Sequence, residues 1–237
     1  MEPLGRRARR TGMRTLGTAA VLSALLGLSA CGSQAGSSAP DTAGCVGQGT
    51  VVARADLDGK GQPTTVRLTG SGSGPCADLL LADGGASAEV GGLDLVPKQG
   101  TVVHLHGADA PELVLLSAQP HPRGGWQPHL FGSGGETGLT EVTSDGRPVV
   151  PFVATDGGAP PMTATCTPEG GIALVTAVAH EPPGVVLAWD VTETTYTVKD
   201  GRAQTTGSKL VEEAAADPLL RRERPELFDG TLFANCD

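Results

Sequence analysis

Beyond Gly49 the chain alternates short apolar runs with clusters of Gly, Pro, Asp and Ser. The runs are rich in Val, Leu and Thr, which suit a pleated and partly buried surface. Thr50–Ala55, Thr64–Leu68 and Asp78–Leu81 read as strands separated by the turn clusters DGKGQP and GSGSGP. Thr101–His106 and Glu112–Ser117 read as a hairpin around GADAP. Val149–Ala154, Met162–Thr167, Ile172–Ala177, Val185–Thr192 and Thr194–Lys199 continue the series, and Asp200-Gly201 predicts a tight hairpin turn after Lys199. Leu210–Ala216 consists of good helix formers stopped by Pro218, and Leu219–Arg224 adds a short helical turn. The pattern predicts a mainly β fold, either a few propeller-like blades or a small β-sandwich, with a short C-terminal helix.

One apolar run differs from the rest. Leu16–Leu28 carries no charge and follows five arginines (Arg6, Arg7, Arg9, Arg10, Arg14) set against one acid, Glu2. As a helix it would rise about 20 Å, short of a bilayer core of about 30 Å. A basic start, a short apolar centre and small residues before a break describe an export signal rather than a transmembrane helix. The arginine pairs leave Sec and twin-arginine export both open, and Met13 could also serve as the start.

The break itself reads Leu28-Ser29-Ala30-Cys31-Gly32 and resembles the lipobox of bacterial lipoproteins. That resemblance implies cleavage before Cys31, palmitate-type lipid on its sulfur, and residence at the extracytoplasmic face of the cell membrane. Three segments follow: a signal peptide over 1–30, the lipidated cysteine and tether over 31–44, and one domain over 45–237. Residues 32–44 (GSQAGSSAPDTAG) hold no large apolar group and read as a flexible tether.

Composition sharpens the reading of the domain. Only seven residues are aromatic, so Val, Leu and Ala must fill the core, and 35 glycines with 18 prolines favour short strands over long helices. Loss of residues 1–30 removes five of 17 basic groups and one of 26 acids, leaving 12 and 25, a net charge of −13. Such a body is repelled by phosphate backbones and anionic head groups, which argues against nucleic-acid binding. Its contact with the membrane is expected through the lipid on Cys31.

With Cys31 lipidated, Cys45, Cys76, Cys166 and Cys236 remain. An even number in an oxidising compartment predicts two disulfides, and no CxxC or Cys/His spacing suits zinc. Cys45–Cys76 with Cys166–Cys236 is the favoured pairing, because each bridge ties a chain end to a neighbouring sheet.

Ala53-Arg54-Ala55-Asp56-Leu57-Asp58-Gly59-Lys60-Gly61-Gln62-Pro63-Thr64-Thr65-Val66 resembles a degenerate FG-GAP/VCBS repeat of secreted actinobacterial lipoproteins. Weaker echoes lie at 107–115 and 153–158. The resemblance implies calcium on Asp56 and Asp58, but Lys60 and Thr64 stand where further acids belong. Two carboxylates beside an ammonium make a poor calcium cage, so no cofactor is expected and the aspartates are read as turn residues that cap backbone amides.

Other chemistry is sparse. His104 and His106 fall two apart on an expected strand and could face one side, with His121 and His129 in a nearby Pro/Gly-rich loop. Ser71, Ser73 and Ser133 sit among glycines without a Gly-x-Ser-x-Gly elbow. Trp126 suits either a core edge or a binding surface, and Trp189 suits the core. The functional expectation is a non-catalytic binding or structural module of the envelope, taking a protein, glycan or small ligand. The alternative is an envelope hydrolase with an unrecognised site.

Overall fold

The structure is a computed structural model that describes residues 42–96, 100–107, 109–118, 120, 124–135, 138–154, 159–181 and 186–236. The signal segment, Cys31, the tether through residue 41 and His121 lie outside the described residues. Among the described residues no helix is long and apolar enough to cross a membrane.

Three sheets carry the domain. The first is an antiparallel meander of β1 (Thr50–Ala55), β2 (Thr64–Leu68), β3 (Leu79–Ala82) and β4 (Ser87–Glu89). The second repeats that plan with β5 (Thr101–His104), β6 (Glu112–Ser117), β7 (Pro128–Ser133) and β8 (Leu139–Glu141). The third contains β9 (Thr143–Ser144), β10 (Arg147–Pro148), β11 (Met162–Cys166), β12 (Ile172–Ala179), β13 (Ala188–Lys199) and β14 (Arg202–Ala216). Its order is β10-β9-β14-β13-β12-β11, antiparallel except where Arg202 of β14 meets Thr143 of β9. The mainly β class expected from the pattern is the observed one.

Alternation along β6 shows how the sheets stack. Val114 and Leu116 join Val52, Val66 and Leu80 of the first sheet, together with Phe131 of β7. Leu113 and Leu115 point the other way, into a cluster with Met162, Ala164, Ile172 and Leu174 of the third sheet. The second sheet therefore has both faces buried, which is why β6 reads Leu-Val-Leu-Leu without polar interruption. The outer sheets need covers of their own. Leu79 and Leu81 of β3 pack under Cys45 and Cys76. Val175, Ala177 and Val191 pack under Leu220 and Leu227 from the C-terminal segment.

Both covers are fixed covalently or at their ends. Cys45–Cys76 and Cys166–Cys236 are bridged, with Cα–Cα separations of 5.4 and 5.3 Å. This is the pairing favoured by the sequence. The Cys236 carbonyl also accepts from the His104 amide at 3.1 Å, and the Phe233 amide donates to Ala164 at 2.6 Å.

Several local expectations are corrected. Leu210–Ala216 is strand, not helix: the ladder to Ala188–Thr192 of β13 satisfies its backbone and overrides helix propensity. Pro218 opens a helix rather than ending one, since α1 spans Asp217–Glu223 and its first turn needs no proline N–H. Val149–Ala154 buries Val149, Val150 and Val153 but holds only an isolated bridge, Trp126 to Val153, because Pro148 and Pro151 lack ladder donors. Val185 lies outside the described residues, and from Ala188 onward the two expected strands Val185–Thr192 and Thr194–Lys199 form the single strand β13.

Candidate functional site

The β13–β14 hairpin ends in a tight turn, as Asp-Gly predicts. Asp200 and Gly201 both have positive φ, +48° and +69°, the geometry of a type I′ turn. Gly201 admits no side chain there, because a Cβ would collide with Thr140 of β8. The turn thus seats the hairpin tip against β8 and β9, and the Thr143 amide donates to the Gly201 carbonyl at 3.4 Å.

Beside this seat lies a cleft of about 550 Å³. The hairpin contributes Thr197, Lys199, Arg202 and Gln204, and the opposite wall contributes Thr140, Glu141 and Thr143. Lys199 and Arg202 are direct cross-strand partners, and so are Thr197 and Gln204. Directly opposed residues on a pair of strands share a face. Two cations and two hydrogen-bonding side chains therefore form one array.

Glu141 is held from behind. Its Oε1 lies 2.7 Å from Nδ1 of His129, whose side chain is only 7% exposed. The ring sits on β7, where the sequence suggested a loop; Pro128 is tolerated there as the first strand residue. His104 and His180 make similar contacts, with Glu112 at 2.7 Å and with Asp190 at 2.8 Å. The first two pairs span neighbouring strands, and His180, just past the end of β12, reaches Asp190 of β13. The carboxylates that partner the histidines were not singled out in the sequence, and the signal that could have found them is only their cross-strand register.

No family model, curated protein or solved structure matches the chain.

Asp56 and Asp58 lie at the β1–β2 turn and are not among the residues that line the cleft. Asp56 accepts from the amides of Lys60 at 3.1 Å and Gly61 at 2.5 Å, so its carboxylate closes the turn. Asp58 accepts from Lys60 Nζ at 2.7 Å, and that contact holds its carboxyl below the usual range while raising Lys60. The ammonium that breaks the calcium pattern is thus the partner of one would-be ligand. The weaker echo meets this turn directly: Glu112 accepts from the Asp56 amide at 2.6 Å, and the Glu112 amide donates to the Asp56 carbonyl at 2.9 Å. Among the described residues no three His, Cys, Asp or Glu side chains gather as a metal set.

His104 ends β5 and pairs with Glu112, while His106 lies beyond the strand. The two are not joined as a pair. Ser71 and Ser73 stand exposed in the 70–74 loop, and Ser133 Oγ accepts from the Gly135 amide at 3.3 Å. Trp126 is half-buried against the core between the second and third sheets. Trp189 is also half-buried, on the outer face of the third sheet, with its Nε1 donating to Asp217 at 2.8 Å.

Proposed function

We propose that this chain is a lipoprotein anchored through Cys31 at the extracytoplasmic face of the membrane, where its β domain serves as a non-catalytic binding module. The export signal and the Leu28-Ser29-Ala30-Cys31 break support the anchor. Two disulfides at the ends of the domain suit an oxidising compartment. The observation that carries the binding reading is the cleft of about 550 Å³ under the hairpin tip, within the size range of small-ligand sites and walled by polar side chains on paired strands. Strands hold such groups in place better than loops do, which lowers the ordering cost of capture. The degenerate Asp56 segment supports kinship with secreted repeat proteins, with a structural role for its aspartates.

Metabolic labelling with an alkynyl fatty acid tests the anchor. The wild type is expected to take label and to sediment with membranes, whereas Cys31→Ser takes none. Equal labelling of both proteins overturns the reading. Capture of partners from intact envelopes, with the cleft residues as bait variants, tests the module. Retrieval that is indifferent to every cleft substitution removes the cleft from the function.

A further inference from the structure

The charges around the cleft are arranged against the trend of the molecule. Ten lysines and arginines are described in the domain, and six of them (Lys60, Arg67, Lys209, Arg221, Arg222 and Arg224) lie within 4.0 Å of a carboxylate. In a mature chain with 25 acids to 12 bases, partners are easy to find. The other four, Arg54, Arg147, Lys199 and Arg202, have no ion pair among the described residues, and of these Lys199 and Arg202 face each other across the hairpin in direct register. Like charges set opposite one another on paired strands repel. Two acids line the same cleft, yet neither lies within 4.0 Å of these cations: Glu141 places one oxygen on His129, and Asp200 lies in the turn with its carboxylate toward Gly135.

We infer that the Lys199–Arg202 pair is an anion-binding site, taking a small ligand that carries a phosphate or carboxylate group and offers further polar atoms to Thr197 and Gln204. The inference rests on the binding-module reading and gives it a ligand class. A planar guanidinium suits two anionic oxygens at once, and the ammonium adds a point charge beside it. An anion between the two cations turns their repulsion into two attractions. The hydroxyl of Thr197 and the amide of Gln204 lie two cross-strand pairs further along, on the same face and within reach of the rest of a small ligand. The strongly negative body repels anions from much of the surface, which favours their capture where two unpaired cations face each other.

Calorimetric titration of the full lipidated chain in a neutral detergent, at fixed ionic strength, tests the site with pyrophosphate and citrate as probes. One-to-one binding of either probe with a dissociation constant below about 1 mM is expected. K199Q/R202Q should weaken it about tenfold or more, and Arg202→Lys, which keeps the charge, should weaken it less. Lys209→Gln, whose ammonium already pairs with Glu193 at 2.8 Å, should leave it unchanged. The double variant should melt no lower than the wild type, since a repulsion is removed.

Amine acetylation of the wild type provides a measurement free of any folding defect. Pyrophosphate should slow modification of Lys199 and leave Lys60 and Lys209 unaffected. Absence of saturable heat from both probes, or equal affinity in the double variant, overturns the assignment. A chain that labels on Cys31 but ignores both anions loses the site and keeps its anchor; a chain that binds pyrophosphate without labelling keeps the site and loses the anchor.

Discussion

The middle sheet and the β13–β14 ribbon are both antiparallel, yet they are stabilised in opposite ways. Leu113, Val114 and Leu116 of β6 are each no more than 2% exposed, and both faces of their strand meet another sheet. On β14, Leu210 is 54% exposed, and beyond Arg202 the strand's outer edge pairs with no strand among the described residues. The centre is held by packing. The ribbon is held by its ladder to β13, by a Gly201 turn and by a few side-chain contacts. Its tip is the exception: seated on Thr140, with Ala203 in the core, it presents the cleft residues Thr197, Lys199, Arg202 and Gln204.

The largest test of this contrast removes the covalent ties. Cys166–Cys236 closes a separation of 70 residues that contains the whole ribbon, and Cys45–Cys76 closes 31. Chain entropy values such loops at about 4 and 3 to 4 kcal/mol. Against a typical stability of about 5–15 kcal/mol, reduction of both should leave the domain marginal or unfolded. Denaturant titration with and without reductant measures the difference. A loss below about 1 kcal/mol would mean that packing alone holds the outer sheets.

The next effect falls on the centre. Phe131 is 1% exposed between the first and second sheets, so Phe131→Ala should lower stability by about 3–5 kcal/mol through lost burial and a cavity. A loss near that of a surface residue would contradict the stacking of the sheets.

These two regions also mark what the sequence could reveal. Apolar runs placed β1, β2 and β6 at their observed bounds, because burial dictates their composition directly. Asp200-Gly201 located the hairpin turn, since few residues accept positive φ. Leu210–Ala216 misled, because an exposed ribbon imposes no apolar alternation and its residues kept the composition of a helix. The cleft was illegible for a different reason. Lys199 and Arg202 flank a turn in the chain, but Glu141 and Thr143 reach them through the seat of Gly201 on Thr140 and the single parallel contact between β14 and β9.

A smaller effect concerns acid. Ala214 adopts φ +50° where β14 departs from regular pairing, and Asp190 holds it by accepting the Ala214 amide at 2.9 Å. That hydrogen bond, with His180 beside it, keeps the Asp190 carboxyl below its ordinary value. A depressed carboxyl contributes stability that is present above the unfolded value of about 3.9 and is lost as pH falls through the lower, folded value. Asp190→Asn should therefore flatten the stability profile below about pH 4. Urea midpoints at pH 3 and pH 6 measure it, and an unchanged acid slope would detach Asp190 from the bulge.

The smallest expected change lies on the ribbon face itself. Leu210 pairs with Thr192 in the ladder, and its side chain remains more than half exposed. Replacement by serine removes an apolar group that water already reaches, and it leaves every backbone hydrogen bond of β14 in place. Exposed substitutions of this kind fall within about ±0.5 kcal/mol. Leu210→Ser should thus melt with the wild type while Phe131→Ala falls far below it. A loss of about 2 kcal/mol or more at Leu210 would show that its side chain is covered in solution, which would make the ribbon face an interface. Repeating the melt over a hundredfold range of protein concentration would reveal that cover if it is a second copy, because its stabilisation rises with concentration.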